Sequence, residues 1–394
     1  MQSGGPTRCG TGSSPSSLAE LPDREHVKFK AAVLNQVGKR LEIEEIELGE
    51  LAATDVLVCV HASGLCHTDL EVIEGSLAYP LPIVLGHEGA GTVEAVGAAV
   101  TQVKPGDHVI CSWNPHCGQC FYCERDLPIL CETFTRWQPK GMLLDGRSRL
   151  SRNGRQIHHF SVVSSHAQYC VVPESGAIAV PKEIPFDRAC LIGCGVMTGV
   201  GAATRKARVE PGASVLVIGC GAVGLNAIQG AKLAGAGLIV AADVSDAKLR
   251  GAKLFGADLS MDAAGPDVVE RLRSVTQGRG PDYVFEAAGH ERAFRLALEA
   301  VRPGGQVVFL GKVNVNQEVA FRWGSLMGEK RIVRSSYGGG RPRRDFPWLV
   351  QQYLEGRLKL DELVTRRIRL EEINSGFDAI RRGHTIREVV VFPI

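Results

Sequence analysis

The run Ser214-Val-Leu-Val-Ile-Gly219-Cys220-Gly221-Ala222-Val223-Gly224 constrains this chain more than any other segment. An apolar run short enough for a buried strand is followed at once by G-x-G-x-x-G, and then by the apolar helical stretch Leu225 to Leu233. Such a motif is weak alone; it becomes informative directly after a strand and at the start of a helix, where it stands here. The glycines permit a tight turn and close backbone approach to a pyrophosphate seated at the helix N-terminus. The next strand candidate, Leu238-Ile-Val-Ala-Ala-Asp243, closes on Asp243 nineteen residues after Gly224. An acidic side chain there suits two free ribose hydroxyls and would repel a 2′-phosphate, so NAD is expected rather than NADP. Lys248, five residues on, is a further candidate for the ribose. The competing reading is a glycine turn in an α/β sheet with no ligand.

Around this motif the texture alternates between strand and helix. A helix is expected near Ala247 to Phe255, and strands at Asp282 to Glu286 and Gln306 to Leu310. Alternation of this kind argues a parallel, doubly wound sheet. From Val27 to about Val180 the chain instead shows short apolar, often alternating runs broken by Gly and Pro, including 30–34, 55–60, 91–97 and 107–110. These indicate a β-rich barrel or sandwich whose loops are free to carry a site. A chain of 394 residues is long for one compact domain. The expected fold class is therefore α/β: a β-rich catalytic domain over 27–196, completed by 338–394, with a dinucleotide-binding domain over 197–337. The active site would lie in the cleft where the two domains meet.

Composition narrows the function classes. Hydrophobic residues make up 44% and charged residues 22%, as in soluble globular proteins. A formal charge of +2 supplies no basic field for nucleic acid or a membrane surface, so neither is an expected partner. No apolar run reaches the roughly 18 residues of a membrane span. Residues 1–26 are rich in Ser, Gly and Pro and lack the apolar core of a signal peptide, so they read as a disordered N-terminal extension and a cytoplasmic location is expected.

Twelve cysteines in such a chain point to metal sites or buried thiols rather than disulfides. Cys117, Cys120, Cys123 and Cys131 form C-x2-C-x2-C-x7-C. Four thiolates in one lobe can close a tetrahedral shell around zinc with no open position, which makes a structural site. A second constellation is dispersed: Gly64-Leu-Cys66-His67-Thr68-Asp69, Gly86-His87-Glu88 and Gly193-Cys194-Gly195. Two sulfurs and one imidazole leave zinc a fourth position for water or substrate oxygen, the ligand set known for alcohol dehydrogenase. Any one of these residues alone reads as structural, and the case rests on all three together.

These motifs, in this order from Val27 to Ile394, resemble the zinc-containing alcohol dehydrogenases of the medium-chain dehydrogenase/reductase superfamily, whose catalytic domain is GroES-like and whose nucleotide domain is a Rossmann fold. The spacing from Cys66 to His87 looks like the dimeric animal enzymes. The stretch Gly193-Cys-Gly-Val-Met-Thr-Gly199 looks closer to bacterial relatives, including mycothiol-dependent formaldehyde and aryl alcohol dehydrogenases. The resemblance implies that Cys66, His87 and Cys194 hold the catalytic zinc, with Glu88 behind the metal. It implies that Asp69 fixes the His87 tautomer, a common arrangement in zinc sites. Thr68 matches the hydroxyl that takes the alcohol proton, and His67 and Arg387 match positions that contact the pyrophosphate. Trp113, Phe160 and Val313 match apolar positions along the substrate channel, and Leu77 and Arg136 positions near its mouth.

Two positions depart from the family pattern. Glu71 stands where many members have the histidine that ends a proton relay; a carboxylate can accept a proton, or serve only as a solvated charge. Leu77 stands where glutathione-dependent formaldehyde dehydrogenases have an acidic residue, although Arg136 matches their basic partner. The expected reaction is zinc-dependent, NAD-linked interconversion of primary or aromatic alcohols and aldehydes. A thiol-dependent formaldehyde dehydrogenase, of mycothiol or glutathione type, is the alternative. A non-catalytic zinc- and NAD-binding structural protein is the alternative of another class, but it would be expected to lose part of the constellation. The expected partners are a small alcohol or aldehyde and further copies of the chain, as a homodimer or homotetramer.

Overall fold

The computed structural model describes residues 27–383 and 385–393, so the extension expected over 1–26 lies outside the described residues. The chain divides into two compact units. One holds the residues up to Gly193 together with Pro342–Val350 and Leu360–Ile394; the other holds Cys194–Arg341 and Gln351–Lys359.

The first unit is β-rich. Strands Val27–Leu34, Glu42–Leu48, Leu150–Arg152, Arg155–His159 and Ile83–Val84 close into a small barrel. A seven-stranded sheet follows the order Ala177–Ala179, His108–Cys111, Glu88–Val96, Asp55–Gly64, Arg387–Val391, Val364–Ile368, with Tyr169–Pro173 also paired to Asp55–Gly64. Asp55–Gly64 is buried at nearly every position. Its Val-Leu-Val-Cys-Val run suits a strand with neighbours on both faces, because branched side chains fit a pleated, covered surface. Val58, Val60, Leu65, Leu85, Phe160 and Phe377 lie in the core beside it.

The second unit is the doubly wound sheet. Six parallel strands stand in the order Leu259–Asp262, Leu238–Asp243, Ser214–Ile218, Tyr283–Glu286, Gln306–Phe309, Arg331–Arg334. In chain order this is 3-2-1-4-5-6, the Rossmann arrangement, with its switch point beside the first strand. Leu216, Val240, Val284 and Val307 fill the sheet's core against Leu296 and Leu272. The strands at Leu259–Asp262 and Arg331–Arg334, which carry no apolar run, are four-residue members at the sheet's margins whose side chains, buried Met261 apart, are exposed or half-exposed. Among the described residues no helix is long and apolar enough to cross a membrane.

Candidate active site

Strand register brings two of the dispersed ligands, Cys66 and His87, together. Asp55–Gly64 runs antiparallel to Glu88–Val96, with Gly64 directly opposite Glu88. Cys66 lies two residues past the end of the first strand and His87 immediately before the second, so pairing alone draws them to one spot. Cys194 lies on a π-helical turn, Ile192–Val196, a local widening that recurs at functional sites. One donor atom from each of Cys66, His87, Glu88 and Cys194 lies within 4.8 Å of all the others. Two sulfurs and an imidazole at that spacing fit zinc with a position left for oxygen.

The Glu88 carboxylate, one of these four donors, is fully buried. Arg387 Nη2 lies 3.2 Å from Glu88 Oε1, an ion-pair distance, but the geometry makes no hydrogen bond and both carboxylate oxygens lack one. Burial pushes the Glu88 carboxyl up, against the pull of Arg387, to about 7. Arg387 is itself buried, so it is not the plain surface charge its place near the C-terminus would suggest.

Asp69 joins the ligands to the fold. Cys66 is the N-cap of helix His67–Glu74 and Asp69 the third helical residue, the spacing of a capping box. Asp69 Oδ2 accepts the Cys66 amide at 3.1 Å and Oδ1 accepts the Gly86 amide at 2.9 Å. His87 Nδ1 lies 3.3 Å from the same carboxylate. That contact assigns the proton to Nδ1 and leaves Nε2 free for a metal. Burial pushes the His87 imidazole down, but Asp69 and Cys66 push it up by more. Thr68 Oγ1 is 3.9 Å from Cys66 Sγ. Thr68 and Glu71 are half-buried on the same helix, and His67 is exposed.

The four-cysteine lobe forms a second group whose sulfurs all lie within 4.8 Å of one another. Amides point into it: Cys117 N–H donates to Cys131 Sγ at 3.3 Å and Glu132 N–H to Cys120 Sγ at 3.5 Å. Slight burial pushes Cys120 up, yet the surrounding amide donors and the Cys123 thiol bring it down to about 6. Burial and the neighbouring Cys120 push Cys123 up to about 12. Four sulfurs gathered at this spacing suit a shared cation, which would hold all of them as thiolates. Ten described cysteines are in no disulfide, as expected, whereas Cys59 is disulfide-bonded, a departure from the expectation of no disulfides.

The three glycines of the nucleotide turn have separate roles. Gly219 has φ +91°, and a Cβ there would meet Ala288 N at 2.7 Å. Gly221, N-cap of helix Ala222–Leu233, faces open space where a phosphate can approach the amides. A Cβ on Gly224 would lie 1.8 Å from Gly219 O, so only glycine lets helix and strand close up. Asp243 Oδ2 accepts the Cys220 amide at 2.7 Å and Oδ1 the Ser245 amide at 2.9 Å, which anchors the carboxylate beside the turn. Lys248 is exposed on the following helix. Glu286, which the sequence does not single out, is buried at the end of its strand and takes the Ala288 and Gly289 amides at 2.8 and 2.7 Å.

Of the proposed pocket residues, Phe160 is fully buried with its ring set edgewise 5.4 Å from the His87 ring. Tyr79, another residue missed in the sequence, sits edgewise on Phe160 at 5.1 Å. Trp113 and Leu77 are half-buried against the same core. Arg136 is exposed on helix Glu132–Trp137, and Val313 is half-buried in the second unit.

Comparison with known proteins agrees with this geometry. Residues 52–182 match the family described as alcohol dehydrogenase GroES-like domain, and residues 222–355 the family described as zinc-binding dehydrogenase. An alcohol dehydrogenase class-3 of Cereibacter sphaeroides is 41% identical over 93% of this chain and 100% of its own. An S-(hydroxymethyl)glutathione dehydrogenase of Paracoccus denitrificans is 38% identical over 93% of this chain and 100% of its own. Among solved structures, an alcohol dehydrogenase zinc-binding domain protein of Burkholderia ambifaria superposes with TM-score 0.90 at 35% identity, covering 94% of this chain and 100% of that one. The benzyl alcohol dehydrogenase of Acinetobacter calcoaceticus superposes with TM-score 0.88 at 32% identity, covering 93% and 100%. Its motifs, its fold and these relatives agree: the chain is an enzyme of the zinc-dependent alcohol dehydrogenase family, within the medium-chain dehydrogenases/reductases.

Proposed function

We propose that the protein interconverts primary or aromatic alcohols and their aldehydes with NAD. The observation that carries this reading is the fully buried Phe160 ring against His87, backed by Tyr79: an apolar, aromatic wall beside the metal ligands. When bound, zinc supplies Lewis acidity that lowers the alcohol pKa, and NAD accepts hydride. Cys66, His87 and Cys194 hold the metal in this reading, and Cys117, Cys120, Cys123 and Cys131 hold the structural zinc. Thr68 takes the hydroxyl proton, with Glu71 one turn along its helix as the next acceptor. The amides around Gly221, with His67 and Arg387, receive the pyrophosphate, and Asp243 and Lys248 the ribose.

A second reading has separate support. Several relatives at 38–39% identity carry the name S-(hydroxymethyl)glutathione dehydrogenase. Exposed Arg136 offers a cation for a thiol carrier's carboxylate, while apolar Leu77 offers nothing to its amine. The deciding experiment follows NAD reduction with ethanol, hexanol, benzyl alcohol, and formaldehyde with and without glutathione or mycothiol. Thiol-independent oxidation of an alcohol, lost in Cys66→Ala, supports the first reading. Turnover only of a formaldehyde–thiol adduct moves the protein to the second.

We also propose that the chain self-associates as a dimer or tetramer. Exposed Val315, Trp323 and Met327 supply apolar surface, and a monomer in sedimentation equilibrium would overturn this.

A further inference from the structure

Behind Asp69 lies a histidine that nothing above has used. His166 is fully buried, as are Ser63 and Ser165. Its amide donates to Leu85 O at 3.0 Å, which fixes the residue beside the loop that carries Gly86 and His87. Gly86 makes room for the ring: at φ +94°, a Cβ there would stand 2.7 Å from His166 Nδ1. Phe377 closes the other side edgewise, with ring centroids 5.9 Å apart.

The two ring nitrogens face different groups. Nδ1 is 2.8 Å from Ser63 Oγ, which is 2.7 Å from Ser165 Oγ. Nε2 has no hydrogen-bond partner and points at the Asp69 carboxylate, 3.8 Å from Oδ1. Burial keeps the ring neutral, pushing it down to about 4, so one nitrogen carries a proton and the other a lone pair. A proton on Nδ1 would turn the Nε2 lone pair toward a carboxylate oxygen in a dry interior, which is repulsive. A proton on Nε2 lets Ser165 donate to Ser63, Ser63 donate to Nδ1, and N–H face the carboxylate. Only the second arrangement opposes unlike charges throughout.

We propose that His166 is a positioning residue for the metal centre, with Ser63 setting its tautomer so that Nε2–H steadies Asp69 and, through Asp69, the orientation and donor strength of His87. The inference rests on His87 being a zinc ligand and on no choice of alcohol. Groups that orient a metal-bound imidazole typically change metal affinity when removed, and one step further out the effect is expected to be smaller.

The test uses the full chain loaded with zinc at both centres, and reads chelator competition. The four-cysteine zinc serves as an internal reference. The catalytic position is then exchanged for cobalt and its visible bands recorded. His166→Phe keeps an aromatic ring against Phe377 and removes the N–H. It is expected to weaken the Cys66–His87–Cys194 zinc roughly 3- to 10-fold, to shift the cobalt bands, and to leave the four-cysteine zinc unchanged. His166→Gln, whose amide nitrogen can stand near the Nε2 position, is expected to return the affinity to within about twofold of wild type. Wild-type affinity in His166→Phe overturns the proposal, and so does His166→Gln as weak as His166→Phe, since packing would then be the whole effect. If His166→Phe fails to fold, Ser63→Ala reads the same link: about a twofold weakening is expected, and wild-type affinity and spectrum overturn it. A wild-type chain that binds one zinc in place of two would remove the metal reading itself, a failure separate from that of His166.

Discussion

Gly64 and Glu88 stand opposite each other across antiparallel strands, and a methyl group on Gly64 would lie 2.4 Å from Glu88 Oε2. Glu88 has no open space to retreat into, because it is fully buried and Leu191 closes the same spot at 3.2 Å from that methyl position. Gly64→Ala is therefore expected to lower stability by about 1–3 kcal/mol, the usual cost of overpacking. It should also reduce zinc at the catalytic centre, since Cys66 is two residues away. Thermal unfolding together with metal analysis checks both; an unchanged melting temperature with two zincs per chain would contradict the argument.

The four-cysteine lobe packs on a small apolar cluster that includes Leu57, Phe134, Leu143 and Val171, and Cys120 and Cys123 are half-exposed. Cys120→Ser should lower bound zinc by one per chain and leave the catalytic metal in place. Closing such a shell contributes folding free energy directly, so the melting temperature is expected to fall by several degrees. Metal stoichiometry at both centres measures the outcome.

His159 gives the zinc-loaded protein an acid limit. It is fully buried, and burial, followed by the charges of Arg149 and His158, pushes it from the ordinary 6.5 down to about 3. His166 moves the same way, to about 4. A depressed folded-state value means that the unfolded chain takes up the proton first. The stability these rings contribute is thus fully present above pH 6.5 and is lost as pH falls toward 4 and 3. The slope is about 1.4 kcal/mol per pH unit for each uncompensated proton. Urea unfolding at pH 7.5, 6.0 and 5.0 should show this decline, and His159→Gln should flatten it.

Asp243 has both oxygens engaged by backbone amides, which places its charge at the edge of the glycine turn. Asp243→Asn keeps one acceptor and removes the charge. NAD affinity is expected to fall roughly 10-fold, as for loss of a charged hydrogen bond, while NADP affinity rises or holds. Dissociation constants for the two cofactors, measured by fluorescence titration, test it; equal loss for both would mean that Asp243 acts only on the turn.

The nucleotide turn was legible in the sequence because its demands are local. Gly219, Gly221 and Gly224 answer steric requirements within a few residues, and Asp243 ends the adjacent strand. The marginal strands Leu259–Asp262 and Arg331–Arg334 were not, since four mostly exposed residues with at most one buried side chain generate no periodicity. Cys66, His87 and Cys194 were readable only as a set and by family resemblance. What joins Cys66 to His87 is the register of Gly64 with Glu88, which no local pattern encodes. Cys66-x-x-Asp69 has the spacing of a helix cap, a signal masked by the reading of Cys66 as a metal ligand. Ser63, Tyr79, His166 and Glu286 gave no signal at all, because a lone polar residue in an apolar stretch looks the same whether it serves a site or a core.

The Asp69 carboxylate receives the Cys66 and Gly86 amides as well as His87. Helix closure and metal coordination are thus inherited together. A descendant that abandoned zinc would still need an acceptor for those two amides, so this aspartate would outlast the chemistry it serves. In a related chain, its presence reports that the helix starts in the same place, and only the sulfur and imidazole ligands report whether the enzyme is alive.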